Sequence, residues 1–307
     1  MAQVSYPFAV GRIRVLETRL LDSGKWARLR EASREDAARL LAESGYGGGK
    51  PGAKADPEQL IRAETEETHR VIAELSPEPA WTDLFLLPTD AHNIKAIYKG
   101  KVLGQDVSRL LVDGGTISPE LLRICIENGE YSMLPPAFGA VLEKEYPDLL
   151  RFSAAVDRAV FEHIRQVLKK KKNPLLSRYF EAQVDFTNVV STLRAVRLHW
   201  DGEKLETVLL PGGTIPAETF PAALTVPVEG LSAALAKGEN ASAIDRVLGD
   251  YLQSGDITQA EQRFTEERIA LLKNGDDSAF SIGPIVCYLM QRETEARQLR
   301  VLFAEKM

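Results

Sequence analysis

An acid, followed three positions later by an amide and then an aliphatic residue, recurs three times in this chain. The copies are Asp90-Ala91-His92-Asn93-Ile94, Asp185-Phe186-Thr187-Asn188-Val189 and Glu295-Ala296-Arg297-Gln298-Leu299. Their starts lie 95 and 110 residues apart, each close to the size of a small domain. A second echo keeps similar time. Leu110-Leu111-Val112-Asp113-Gly114-Gly115-Thr116-Ile117 returns as Val208-Leu209-Leu210-Pro211-Gly212-Gly213-Thr214-Ile215, an offset of 98. One short match carries little weight, but two unrelated motifs returning with nearly the same offset point to internal duplication. The chain reads as three copies of one unit, with lobes at 1–100, 101–200 and 201–307.

The unit is helical. Residues 8–22 set Val10, Ile13, Leu16 and Leu20 on one stripe at helical spacing. Ser33-Arg34-Glu35-Asp36 has the form of a capping box, and Ser118-Pro119-Glu120 supplies an N-cap, a first-turn proline and an early acid. Asn173-Pro174 repeats that grammar ahead of a segment running to about His199. Asn240 and Asp256 are positioned to cap helices over 241–253 and 257–273, and Ile282-Gly283-Pro284 opens a terminal helix reaching 303. Period-2 alternation bounded by hairpin turns is absent, so the predicted fold is all-α.

Within such a helix, positions i and i+3 share a face, so each acid and its amide are presented together. A base follows in the same helix each time: Lys95, Arg194 and Arg300. The nine residues Asp90, Asn93, Lys95, Asp185, Asn188, Arg194, Glu295, Gln298 and Arg300 form the repeated structural motif. A polar face of this kind is expected to clamp a neighbouring helix end by hydrogen bonds and to fix how each unit closes.

Other chemistry is thin. Gly45-Tyr46-Gly47-Gly48-Gly49-Lys50-Pro51-Gly52 contains a Gly-Lys pair, but a phosphate loop would need glycine at Ser44 and Ser or Thr at Pro51. Residues 45–52 therefore read as a flexible connector. Gly114-Gly115 and Gly212-Gly213 read as turns between helices rather than anion cradles. His69, His92, His163 and His199 are scattered without metal-ligand spacing, so no metal or cofactor is expected. Glu64, Glu66 and Glu67 read as a solvated helix face, and the Lys169–Lys172 run as basic residues at a helix C-terminus. Cys125 and Cys287 sit in apolar stretches, as buried reduced thiols do. A net charge of −6 argues against nucleic acid as a partner. No run approaches the length and apolarity of a membrane span, and the expected location is cytoplasmic.

Taken together, the segments Tyr6-Pro7-Phe8-Ala9-Val10-Gly11-Arg12-Ile13-Arg14 with Leu20-Leu21, Asp90-x-x-Asn93-Ile94-Lys95, Asp185-x-x-Asn188 with Arg194, Pro284-x-x-x-Tyr288-Leu289 and Glu295-x-x-x-Leu299-Arg300 carry a family likeness. In order and spacing the chain resembles the C subunit of A/V-type ATPases and ATP synthases, the equivalent of the d subunit of the vacuolar enzyme. Gln298 departs from the asparagine of the other two copies. The resemblance implies a pseudo-threefold funnel of three helical lobes. It also implies a non-catalytic central-stalk rotor subunit, a socket between the central shaft and the membrane rotor ring that couples ATP turnover to ion translocation. Its implied partners are the shaft subunits and the ring, with no small-molecule substrate and peripheral attachment to the membrane. The rival reading is a free-standing helical-repeat scaffold for soluble protein partners. An enzyme with an unadvertised site comes third.

Overall fold

The computed structural model describes residues 4–49, 56–276 and 278–306, and among these no residue lies in a strand. In chain order the α-helices are α1 (Tyr6–Glu17), α2 (Ser23–Glu31), α3 (Arg34–Glu43), α4 (Pro57–Leu75), α5 (Pro79–Leu103), α6 (Pro119–Asn128), α7 (Pro136–Leu142) and α8 (Leu149–Lys170). They continue as α9 (Pro174–Arg197), α10 (Gly202–Val208), α11 (Thr219–Ala223), α12 (Leu231–Leu235), α13 (Ala241–Ser254), α14 (Ile257–Gly275) and α15 (Gly283–Glu305). The all-α expectation holds.

Helix starts follow the side chains that cap them. Ser33 Oγ accepts from the Asp36 amide at 3.2 Å, capping α3, and its hydroxyl donates to the Asp36 carboxylate at 2.8 Å where a full capping box would use the Ser33 backbone N–H. Asn173 Oδ1 accepts from the Leu176 amide at 3.1 Å, and Pro174 occupies the first turn of α9. Asp256 Oδ1 accepts from Thr258 N at 2.8 Å at the head of α14. Asn240 stands at the N-cap of α13 without a side-chain capping bond, and its amide nitrogen donates to Asp185. The first helix is shorter than its periodicity suggests, ending at Glu17 rather than near residue 22.

Two compact units divide the chain, one comprising Met1–Phe85 with Leu272–Met307 and the other Leu86–Leu271. In the first, Leu29, Ala37, Leu41, Tyr46 and Ile61 pack with Leu299 and Phe303 of α15. In the second, Phe186, Val189 and Leu193 of α9 pack with Phe220, Leu231, Ile244, Leu248 and Phe264. The Phe186 and Phe264 rings stack with centroids 4.6 Å apart. Cys125 and Cys287 are both buried and lie outside any disulfide.

The helices that carry the repeated motif are unlike the amphipathic ones around them. In α9, Tyr179, Phe180, Val184, Phe186, Val189, Val190 and Leu193 are buried round most of its circumference, and α15 is buried in the same way. A helix apolar on all sides lies inside its unit. Any acid or amide on it is then buried too, and must find hydrogen-bond partners or carry a large desolvation cost.

The glycine-rich segment corrects the connector reading for the residues described. Tyr46–Gly49 forms a short 3-10 segment kinked at the left-handed Gly47 and Gly48, and Tyr46 is 3% exposed. Gly47 has φ 67°, and a Cβ there would lie 2.6 Å from Leu60 Cδ2. This is a packed turn whose glycines let the backbone sit against α4. Lys50, Pro51 and Gly52 lie outside the described residues. Glu64 is likewise not part of a solvated face. Glu66 and Glu67 form exposed pairs with Arg62 and Arg70, while Glu64 pairs with the buried Arg292.

Candidate functional site

The two echoes found separately in the sequence meet in space. Asp90 of α5 is fully buried; its Oδ2 accepts from the Thr116 amide at 3.1 Å and the Thr116 hydroxyl at 2.6 Å, and its Oδ1 from the Ile117 amide at 3.1 Å. One turn on, Asn93 grips a single residue by both backbone groups. Its Nδ2 donates to the Val112 carbonyl at 2.8 Å and its Oδ1 accepts from the Val112 amide at 2.9 Å. The side chain thus completes the pairing of an extended stretch that has no neighbouring strand.

The second copy repeats this almost atom for atom. Asp185 Oδ1 accepts from Thr214 N at 2.8 Å and Ile215 N at 3.1 Å, and Oδ2 from Thr214 Oγ1 at 2.6 Å. Asn188 donates to the Leu210 carbonyl at 3.0 Å and accepts from the Leu210 amide at 2.8 Å. Here the carboxylate also takes a fourth donor, the Asn240 amide nitrogen at 3.1 Å.

Each glycine of the pair has its own reason. Gly114 and Gly212 sit at φ 98° and 95°, in the left-handed region that other residues avoid. At Gly115 a Cβ would fall 2.1 Å from Asp90 Oδ1, and at Gly213 2.2 Å from Asp185 Oδ1, so the carboxylate occupies the space of the missing side chain. These turns are also anion cradles, filled by a carboxylate of the same unit.

The third copy keeps the position and changes the chemistry. Glu295 of α15 accepts from the Leu21 amide at 2.6 Å, 274 positions earlier in the chain, and from the Tyr46 hydroxyl at 2.6 Å. Arg292 Nη1 donates to it at 2.5 Å, and Arg292 also pairs with Glu64. Burial and the Glu295 charge push the Tyr46 hydroxyl pKa well up, so it stays protonated as a donor. Gln298 is half-buried and, among the described residues, holds no backbone pair of the kind Asn93 and Asn188 hold. Arg292 and Tyr46 are the residues that sequence reasoning missed; Arg292 stands three positions before Glu295, a spacing that could have found it.

The three bases act alike. Lys95 reaches Asp157 at 2.6 Å, Arg194 reaches Glu261 at 2.6 Å, and Arg300 reaches Glu58 at 3.0 Å. All six side chains are at least a quarter exposed, so these pairs add orientation more than stability. What the motif does chemically is hold turns against buried helices by charge-assisted hydrogen bonds.

A profile of the ATP synthase (C/AC39) subunit family matches residues 9–304, nearly the whole chain. The chain belongs to that family. Among its relatives, the C subunit of the V-type ATP synthase of Thermus thermophilus is 26% identical, over 97% of this chain and 93% of that protein. The C subunit of the A-type ATP synthase of Thermococcus gammatolerans is 24% identical over 97% of this chain and 84% of that protein. The C subunit of the V-type sodium ATPase of Enterococcus hirae is 22% identical over 83% and 79% respectively. Family membership makes this chain an accessory stalk subunit of a rotary ATPase rather than the catalytic one, with its partners inside that complex. No helix among the described residues is long and apolar enough to cross a membrane.

Proposed function

We propose that this chain is the socket between the central shaft and the membrane rotor ring, held peripherally at the membrane by those partners. Its three lobes, 1–100, 101–200 and 201–307, would be related by a pseudo-threefold axis and form a funnel. The lobes are units of repetition rather than of compactness: each contributes one buried helix, and that helix grips a turn in another lobe. The observation that carries this reading is the third clamp. Copies one and two grip turns that follow them in the chain, whereas Glu295 grips the turn at Leu21. A linear stack of repeats ends in distinct polar caps. A last copy that takes its turn from the beginning of the chain favours closure around an axis instead. Buried charge-assisted bonds at all three joints resist shear between helix and turn, as a part that transmits torque requires.

The test is ATP-driven ion uptake measured beside ATP hydrolysis in vesicles carrying the reconstituted complex. With this subunit left out, hydrolysis by the head should continue while uptake stops, and adding the purified chain should restore uptake. Full uptake without it would remove the socket reading. Failure of the chain to bind the remaining subunits at all would favour the free-standing scaffold.

A further inference from the structure

Helix α1 has apolar residues on two opposite faces. Ala9, Val10 and Ile13 are buried against its own unit. On the other side Phe8 is 58% and Val15 63% exposed, among the most exposed large apolar side chains of the described residues. Seven positions are about two helical turns, so the two side chains point the same way. Between them on that face lie Gly11 and Arg12, both exposed. The chain is acidic overall, at −6, yet this face carries a positive charge, and Arg12 has no carboxylate partner among the described residues. Arg14, by contrast, is paired with Glu17 at 2.9 Å.

Gly11 has no reason to be glycine inside this chain. It lies mid-helix with ordinary helical backbone, and a Cβ there would meet nothing within 4 Å. Alanine at such a position favours the helix. The missing side chain leaves a shallow notch between two apolar knobs, the shape that lets a second helix bring its backbone close. Exposed Phe8 and Val15 on either side supply the apolar contact such a crossing buries.

We propose that the face Phe8, Gly11, Arg12, Val15 docks a helix of another subunit of the rotary complex. That helix would place an apolar ridge over Gly11 and a carboxylate opposite Arg12. A second copy of this chain fits less well, since a two-fold contact would set one Arg12 near the other. A lipid surface fits less well too, because a face immersed in headgroups gains nothing from glycine at its centre. The inference rests on the chain being a subunit of such a complex, and goes beyond it by naming the face and the chemistry of its partner.

The experiment measures the affinity of the purified chain for the rotary complex isolated without it, using wild type, Gly11→Leu, Phe8→Ser, Val15→Asp and Arg12→Glu. Thermal unfolding of each free variant is followed in parallel. All four positions are exposed, so the melting temperature should hold, and for Gly11→Leu rise. Each variant should lose at least about tenfold in affinity, as central interface residues do. Wild-type binding with all variants within about twofold would overturn the docking face and leave the family role of the chain intact. Absence of wild-type binding would overturn both. Retained complex affinity, with loss only of binding to phosphatidylglycerol-containing vesicles, would make α1 a membrane-contact helix and refute the proposal.

Discussion

Gly213→Ala isolates the part of the clamp in which a turn and a helix must share one volume. The new Cβ would start 2.2 Å from Asp185 Oδ1 and 3.0 Å from Val184 Cγ1. Ordinary contact between such atoms needs well over 3 Å, so the carboxylate must retreat by about 1 Å. It cannot do so freely, being fully buried and held by Thr214 N, Thr214 Oγ1, Ile215 N and Asn240 Nδ2. Losing two of those four bonds, at about 1.5–3 kcal/mol for each bond to a charged group, gives a cost of about 3–6 kcal/mol. The assay is urea unfolding followed by the fluorescence of Trp200, which packs on the core of the unit that holds this clamp. The decisive measurement is a double-mutant cycle with Asp185→Ala. With the carboxylate gone, Gly213→Ala should cost less than about 1 kcal/mol, the residue of the Val184 contact. Gly212→Ala serves as control: its penalty of about 1–2 kcal/mol comes from φ 95° and should be the same in both backgrounds. Equal costs for Gly213→Ala with and without Asp185 would refute the shared-volume account.

Asn188→Leu leaves the buried Leu210 amide and carbonyl both unpaired, and at about 1–3 kcal/mol for each orphaned group should lower stability by about 2–6 kcal/mol in the same urea assay. Asn188→Asp, which can still accept from the Leu210 amide, is expected to fall between leucine and wild type. Arg292→Met removes the cation facing Glu295 and Glu64, and should cost about 3–5 kcal/mol at neutral pH.

Much of this protein was settled by local sequence. Caps at Ser33, Ser118, Asn173 and Asp256 mark helix starts because a side-chain oxygen two or three residues from an unpaired amide needs nothing distant to act. The repeat was legible for a different reason: duplicated turns keep their glycines when φ and crowding at each position exclude every other residue. The sequence also placed acid and amide on one helix face, since that follows from helical pitch alone. What it left undetermined was the partner. That Asp90 lies in the amides of Thr116 and Ile117, and Asp185 in those of Thr214 and Ile215, depends on packing α5 and α9 against turns 26 to 30 residues away. The third clamp was further from reach, because Glu295 meets Leu21 and Tyr46 across nearly the whole chain, and Tyr46 stands in a stretch that reads locally as a connector. Tertiary structure decided those points because a buried charge takes the nearest available donors, and distance in space is set by the core rather than by position along the chain.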